Sequence, residues 1–385
     1  MFFEIDKSQK QIQQAVRDFI KGQFKKEIIQ EIVEEQVFPE KIWRKASDLG
    51  LIGIHFPEEY SGQGLGCFEN ALVAEALCCG DASVGGCLAG AAIGSEMILH
   101  YGNESQKSTW LPKVAEGQVL ASAAFSEAGF GGGFASIKST ATKQGDSWLI
   151  EGAKTFVLNG GPLAGFYIVL CRTGSEPTPD QELSMVLVEA DREGITVEDV
   201  GYKLGGRLMH IGKVRFEKVR VPLDNLVGQE NQGRRQAMDH LSMTRTIAAA
   251  QSVGIAQGAY ERAIAHAKQR VQFASKLIDF QVTRHKLASM LTKIESARLL
   301  TYQSAGKIDA GQGDEKLSAM AKMHASRIAV EVCDEAIQLL GGYGYIQEYE
   351  VERYFREAKV IEVFWGNREA QMDTISNTMQ KRSAA

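Results

Sequence analysis

Apolar positions recur three and four residues apart through Ala248–Ala265, Leu287–Ala305 and Leu317–Leu340, the period of a helix that lays one apolar stripe on a core. All seven prolines lie at or before Pro222, so the last part of the chain contains no residue that breaks a helical hydrogen-bond ladder. This pattern predicts long helices there, with Gly311-Gln312-Gly313 as an inter-helix turn. The N-terminal part is also helical in pattern, over Lys10–Gly22, Glu40–Leu49, Ala71–Cys79 and a small-residue stretch from Ser83 to Tyr101. Breaks fall at Pro39, Pro57 and the glycine-rich Ser61–Gly66. In between, Trp148–Ile150, Thr155–Leu158, Phe166–Cys171, Ser184–Val188 and Lys213–Val221 read as short strands. Turns are expected at Asn159–Pro162, Gly174–Pro179 and Asp191–Gly194. The order is helical, then β, then helical, an α+β chain with its sheet segregated in the middle. It divides into residues 1–120, 121–232 and 233–385.

Composition narrows the class. The 385 residues include 43 Lys+Arg and 48 Asp+Glu for a net charge of −5, with 44% apolar residues. That is globular composition, which excludes disorder and argues against a nucleic-acid partner. No segment approaches the roughly 18 uninterrupted apolar residues of a membrane span, and the N-terminus alternates charge, so a cytoplasmic protein is expected. The six cysteines form no CxxC and read as reduced core thiols. Seven histidines show no HExxH or other ligand spacing, so no metal site is expected, and they read as packed or surface residues. No GxSxG nucleophile elbow occurs.

Three glycine- or cation-bearing stretches carry candidate chemistry. Ser126–Gly133 is the richest glycine cluster, suited either to bringing backbone N–H groups against a phosphate or flavin edge or to a plain hairpin loop. It lacks the strand-to-helix context of a dinucleotide fingerprint. Arg270–Phe273 with Phe280-Gln281 gathers a cation, aromatics and amides where two helices meet, or is a solvated helix end. Gln338–Gly344 ends a helix in glycines that admit a close ligand, although a C-cap explains one of them equally well.

The order of these pieces resembles the acyl-CoA dehydrogenase superfamily of flavoproteins along essentially the whole chain. Phe56–Gly64, Phe125–Lys138, Trp148–Gly160, Lys203–Gly206, Phe216–Gly228, Arg270–Phe280, Gln338–Gly344 and Val351–Ala358 fall in the family's order. The resemblance implies an N-terminal helical domain, a middle β-barrel-like domain and a C-terminal four-helix bundle. It also implies a homotetramer built as a dimer of dimers, FAD as cofactor, an acyl-CoA thioester as substrate and an electron-transfer flavoprotein as redox partner. By motif position, Phe125, Ser126, Gly131, Gly132, Phe156, Leu158 and Asn367 border the flavin of their own subunit. Arg270, Phe273, Gln281, Gln338, Gly341 and Gly342 reach that of a neighbour.

Family chemistry removes the α-proton with a glutamate while the β-hydrogen leaves to the flavin. Most members place that glutamate where this chain has Trp365, flanked by Phe364 and Gly366; a minority place it where Thr244 precedes Arg245. Both positions lack a carboxylate here; the remaining candidates are Asp81, which also reads as an N-cap before Ser83-Val84-Gly85, and Glu362, whose offset from the family's motif turns it away from the thioester. Leu158 replaces a hydroxyl residue that usually bonds the flavin, and Ala128 replaces a loop proline. The counterpart of Ser83–Tyr101 lines the acyl end, and Gly85, Gly86 and Ala89 there suggest either a wide cavity for a branched or cyclic acyl group or tight helix packing. Three activities are compatible: a flavin oxidoreductase acting on CH–CH bonds without the usual base, a non-oxidative elimination of the desulfinase kind, and a catalytically silent homologue.

Overall fold

The structure is a computed structural model that describes residues 5–129, 133–174 and 182–382. Among the described residues seven α-helices come first: α1 (Lys7–Gln23), α2 (Lys26–Glu35), α3 (Glu40–Asp48), α4 (Cys67–Gly80), α5 (Ala82–Gly90), α6 (Ser95–Tyr101) and α7 (Glu104–Ala115). Side chains of Asp6 and Asn103 accept from the N–H groups of Gln9 and Gln106, closing capping boxes that start α1 and α7. The stretch read as one helix from Ser83 to Tyr101 is two. Gly94, at φ +113°, turns the chain between α5 and α6, where a Cβ would stand 2.9 Å from the Ser122 carbonyl carbon. The segment Ala82–Tyr101 is apolar enough to pass for a membrane span, yet 89% of its apolar window is buried inside the fold, so its composition reflects core packing. The sequence pattern did not reveal α2, or α7, which carries Pro112 in its interior.

The middle strands are β1 (Leu120–Ala124), β2 (Thr140–Gln144), β3 (Ser147–Leu158), β4 (Ala164–Arg172), β5 (Leu183–Glu189), β6 (Ile195–Asp199), β7 (Ile211–Pro222) and β8 (Leu226–Val227). They order as β6-β7-β3-β2-β4-β5-β8, with β1 parallel to β4. β2 meets β4 only at Thr140–Arg172, so the sheet folds there into two halves around Trp148, Ile150, Tyr167, Val169, Val214, Phe216 and Val219. Among the described residues β6 and β8 do not pair, so the barrel-like sheet stays open. The two strand segments expected at Trp148–Ile150 and Thr155–Leu158 are one strand, whose alternation is broken by register shifts between Ile150 and Gly152 and between Lys154 and Val157. The turn read at Gly174–Pro179 lies, from residue 175, outside the described residues.

The C-terminal part comprises α8 (Gly233–Gln269), a two-stranded ribbon β9 (Val271–Gln272) and β10 (Ser275–Lys276), α9 (Gln281–Asp309), α10 (Glu315–Leu340), α11 (Val351–Val363) and α12 (Arg368–Arg382). Helices α8 to α11 share one core and α12 packs on α10. α4 lies close against α8, because at Gly254 a Cβ would come within 2.1 Å of the Glu75 carbonyl oxygen. This contact ties the N-terminal helices to the bundle.

Candidate active site

A cleft of ≈ 580 Å³ opens where the ends of β1 and β3 meet α8 and the α11–α12 turn. The bulge in β3 puts Phe156 at φ +52° and leaves it 63% exposed on the cleft wall. Leu158 follows on the same wall. Ser122 Oγ donates to the Leu158 carbonyl at 2.7 Å, and Asn159 Nδ2 donates to the carbonyls of Gly90 (3.0 Å) and Ala121 (2.9 Å). These bonds fix the strand end against α5 and β1. Phe125 and Ser126 continue the wall. Beneath them Lys154 Nζ is buried against Glu127 Oε1 at 2.7 Å and donates to the Leu170 carbonyl at 2.6 Å. Glu127 also accepts from the N–H groups of Lys138 and Ser139 and from Ser139 Oγ, which braces the loop.

Phe364, Trp365, Gly366 and Asn367 form the opposite lip. Trp365 sits at φ +53°, a conformation costly for a bulky side chain, and its ring meets Phe364 edge-on at 5.5 Å. The turn is held from below. Gln371 Nε2 donates to the carbonyls of Trp365 and Gly366, both at 3.0 Å, and Lys322 Nζ donates to those of Gly366 (2.6 Å) and Glu362 (3.0 Å). Burial, and secondarily the nearby Arg245, lowers the Lys322 ammonium to about 7. Arg245 lines the cleft while only 3% exposed. Its Nη2 donates to Thr374 Oγ1 at 3.3 Å, but Nε and Nη1 have no hydrogen-bond partner, and burial lowers its pKa to about 10.

The second expected group lies elsewhere. Arg270, Gln338, Gly341 and Gly342 line a separate cavity of ≈ 510 Å³, about 25 residues beyond Arg245 along α8, or roughly 38 Å of helix. Arg270 lies over the Tyr343 ring at 5.5 Å, and a Cβ on Gly341 or Gly342 would meet open space. Phe273, at φ +50°, is 91% exposed on the ribbon beside it, and Gln281 is exposed at the start of α9. Gly131 and Gly132 lie outside the described residues.

The three domains match in sequence the N-terminal, middle and C-terminal acyl-CoA dehydrogenase domains over residues 6–118, 122–219 and 231–380. The chain belongs to the acyl-CoA dehydrogenase family. It is a flavin oxidoreductase acting on CH–CH bonds of acyl-CoA, with FAD as cofactor. Cyclohexane-1-carbonyl-CoA dehydrogenase of Geobacter metallireducens is 38% identical over 88% of each chain. The short/branched chain specific acyl-CoA dehydrogenase of Bos taurus mitochondria is 35% identical over 95% of this chain and 84% of its own. The structure of butyryl-CoA dehydrogenase from Megasphaera elsdenii superposes with a TM-score of 0.94 at 30% identity, covering 99% of this chain and 100% of that one.

Geometry decides the alternatives that the dehydrogenase's sequence left open. Asp81 is no base: Oδ2 accepts from Arg353 Nη2 (2.6 Å) and Nε (3.1 Å), while Oδ1 caps α5 through the N–H groups of Ser83 and Val84. Glu362 lies off the cleft on α11, bound to Lys359 with Arg327 at 3.8 Å. Gly85 and Gly86 serve close packing. A Cβ on Gly85 would stand 2.4 Å from the Leu77 carbonyl oxygen, and one on Gly86 3.0 Å from the Met209 methyl. Ala89 lines an inner cavity of only ≈ 20 Å³ together with Thr244, so the small residues do not open a wide pocket.

Between that inner cavity and the cleft lies what the sequence did not reveal. His55 and Glu96, on a loop and a helix, line the inner cavity and meet His240 of α8, which lines the cleft. Glu96 Oε1 is 3.9 Å from His55 Nε2, and Glu96 Oε2 is 3.6 Å from His240 Nδ1. Both ring nitrogens are buried without a hydrogen-bond partner. Burial raises the Glu96 carboxyl to about 7. Burial, then repulsion from His100, lowers both imidazoles to about 4. A charged residue inside the apolar run Ala82–Tyr101 was the available signal.

Proposed function

We propose that this dehydrogenase oxidises a branched or cyclic acyl-CoA thioester and does so without a glutamate at position 365 or 244. The observation that carries the reading is the cleft's apolar lip and floor. Trp365, Phe364, Leu158, Ile93 and Leu241 surround a volume in the range of small-molecule sites, and by motif position Trp365 replaces the family's usual base. The names of the two relatives above, one acting on a cyclic and one on short or branched acyl-CoA esters, favour the same class.

Bound FAD supplies the acceptor for the β-hydrogen of the thioester. On this reading Phe125, Ser126, Phe156, Leu158 and Asn367 hold its ring system in the cleft. The exposed Phe156 ring and the braced 125–129 loop suit a flat aromatic group. Arg270, Phe273, Gln281, Gln338, Gly341 and Gly342 reach the FAD of a second subunit, since one chain separates the two groups along α8. The assembly is then a homotetramer of two such dimers, and an electron-transfer flavoprotein is the electron acceptor. Arg245 faces the thioester side with unpaired donors, and Trp365 excludes water from the lip.

The test is anaerobic flavin bleaching by the purified holoenzyme with cyclohexanecarbonyl-, 2-methylbutanoyl-, butanoyl- and octanoyl-CoA. Fast bleaching by the first two and slow bleaching by the straight chains is expected. Product formed without bleaching would replace the oxidative reading by a non-oxidative elimination.

A further inference from the structure

We infer that His240, positioned by Glu96, is the side chain that takes the α-proton of the thioester. The inference deepens the acyl-CoA reading and rests on it. Among the described residues lining the cleft, Glu127, His240 and Arg245 are the titratable ones. Arg245 has no lone pair to offer. The Glu127 carboxylate is occupied by Lys154, Ser139 and Lys138. His240 is left, and it stands one helical turn before Thr244. Its ring meets Phe125 edge-on at 5.7 Å, and its ring-nitrogen contact is Nε2 to Thr244 Oγ1 at 3.2 Å, a hydroxyl that donates its proton to the His240 carbonyl at 2.8 Å and so does not donate to a lone pair on Nε2.

The state of Glu96 decides which nitrogen is basic. With Glu96 ionised, its charge 3.6 Å from Nδ1 favours the tautomer that keeps the ring proton at Nδ1 and leaves the lone pair on Nε2, as a carboxylate does beside a histidine base. With Glu96 protonated, the acid proton faces Nδ1, the ring proton moves to Nε2, and the base is lost. Gly94 N–H donates to Oε2 at 2.8 Å and holds the carboxylate in place. The other titratable groups facing the pair are His55 on the loop after α3, Cys67 at the start of α4, His100 on α6 and Arg245 on α8. The step breaks the Cα–H bond, forms N–H at Nε2 and leaves the electron pair on the thioester as its enolate. The imidazolium then stands 3.6 Å from the Glu96 carboxylate, an opposite charge that opposes the burial and the His100 repulsion lowering its proton affinity. Reversal returns a proton, or in D2O a deuteron, so exchange needs no oxidant.

Holoenzyme in D2O with 3-thiabutanoyl-CoA isolates this step, because sulfur at the β position leaves no hydrogen to oxidise and mass spectrometry counts α-deuterium. Wild type is expected to exchange at a rate that rises as pH passes about 7, where Glu96 loses its proton. His240→Gln is expected to slow exchange by about 10²–10⁴ while the thioester still perturbs the flavin spectrum. Glu96→Gln should hold exchange low and abolish the rise across neutral pH, which also carries the test if His240→Gln does not fold. Wild-type exchange in His240→Gln overturns the base, and a retained rise in Glu96→Gln overturns its positioning role. A wild type that binds the thioester without exchanging it refutes His240 but leaves the oxidoreductase intact. One that binds no thioester removes the substrate reading and the base together.

Discussion

Asp81→Asn separates a structural carboxylate from a catalytic one. Asp81 and Arg353 are each about 1% exposed at the side chain, and two guanidinium nitrogens share Oδ2. The asparagine keeps an oxygen for the Ser83 and Val84 N–H groups but presents an uncharged group to a buried guanidinium. Breaking a buried pair from one side costs about 3–5 kcal/mol, since the remaining charge is uncompensated. Asp81→Ala removes the α5 cap as well, adding about 1 kcal/mol. Urea unfolding followed by circular dichroism should show both losses in that order. Turnover of cyclohexanecarbonyl-CoA per bound flavin should be unchanged in the folded protein. Removing a general base lowers rate by about 10²–10⁴. An Asp81→Asn protein as stable as wild type but slowed to that degree would refute the structural assignment.

Two further outcomes are expected. Leu158→Thr places a hydroxyl on the cleft wall at the end of β3 and removes apolar volume, so a loss of about 1–2 kcal/mol in stability should accompany a shift in the reduction potential of bound FAD, read by spectroelectrochemistry; an unchanged potential would place Leu158 away from the flavin. Lys322 has its folded pKa lowered from 10.5 to about 7, so the unfolded chain binds more protons between those values. Its contribution is therefore fully present above 10.5 and is lost as pH falls through about 7. Urea midpoints of wild type and Lys322→Met at neutral and alkaline pH should show the wild-type advantage growing with pH, and a constant difference would contradict the burial argument.

The periodicity of this chain determined its helical, β and helical order, because apolar spacing is a local property that any packed partner must respect. Pro-free sequence marked the bundle, and Phe125, Leu158 and Trp365 were legible as one site through their motifs. The tertiary structure decided what side chains distant in sequence do to one another. Asp81 reads as a helix cap or a free acid until Arg353 arrives beside it, and Gly85 as close packing or pocket space until the Leu77 carbonyl fills that space. The turn closed by Gly94 splits a helix that composition alone would continue, because β1 presses against that turn. His55, Glu96 and His240 lie on separate elements and show no motif spacing. Only the packing of α6 and α8 with the loop after α3 buries them together, and burial is what shifts their proton affinities toward chemistry.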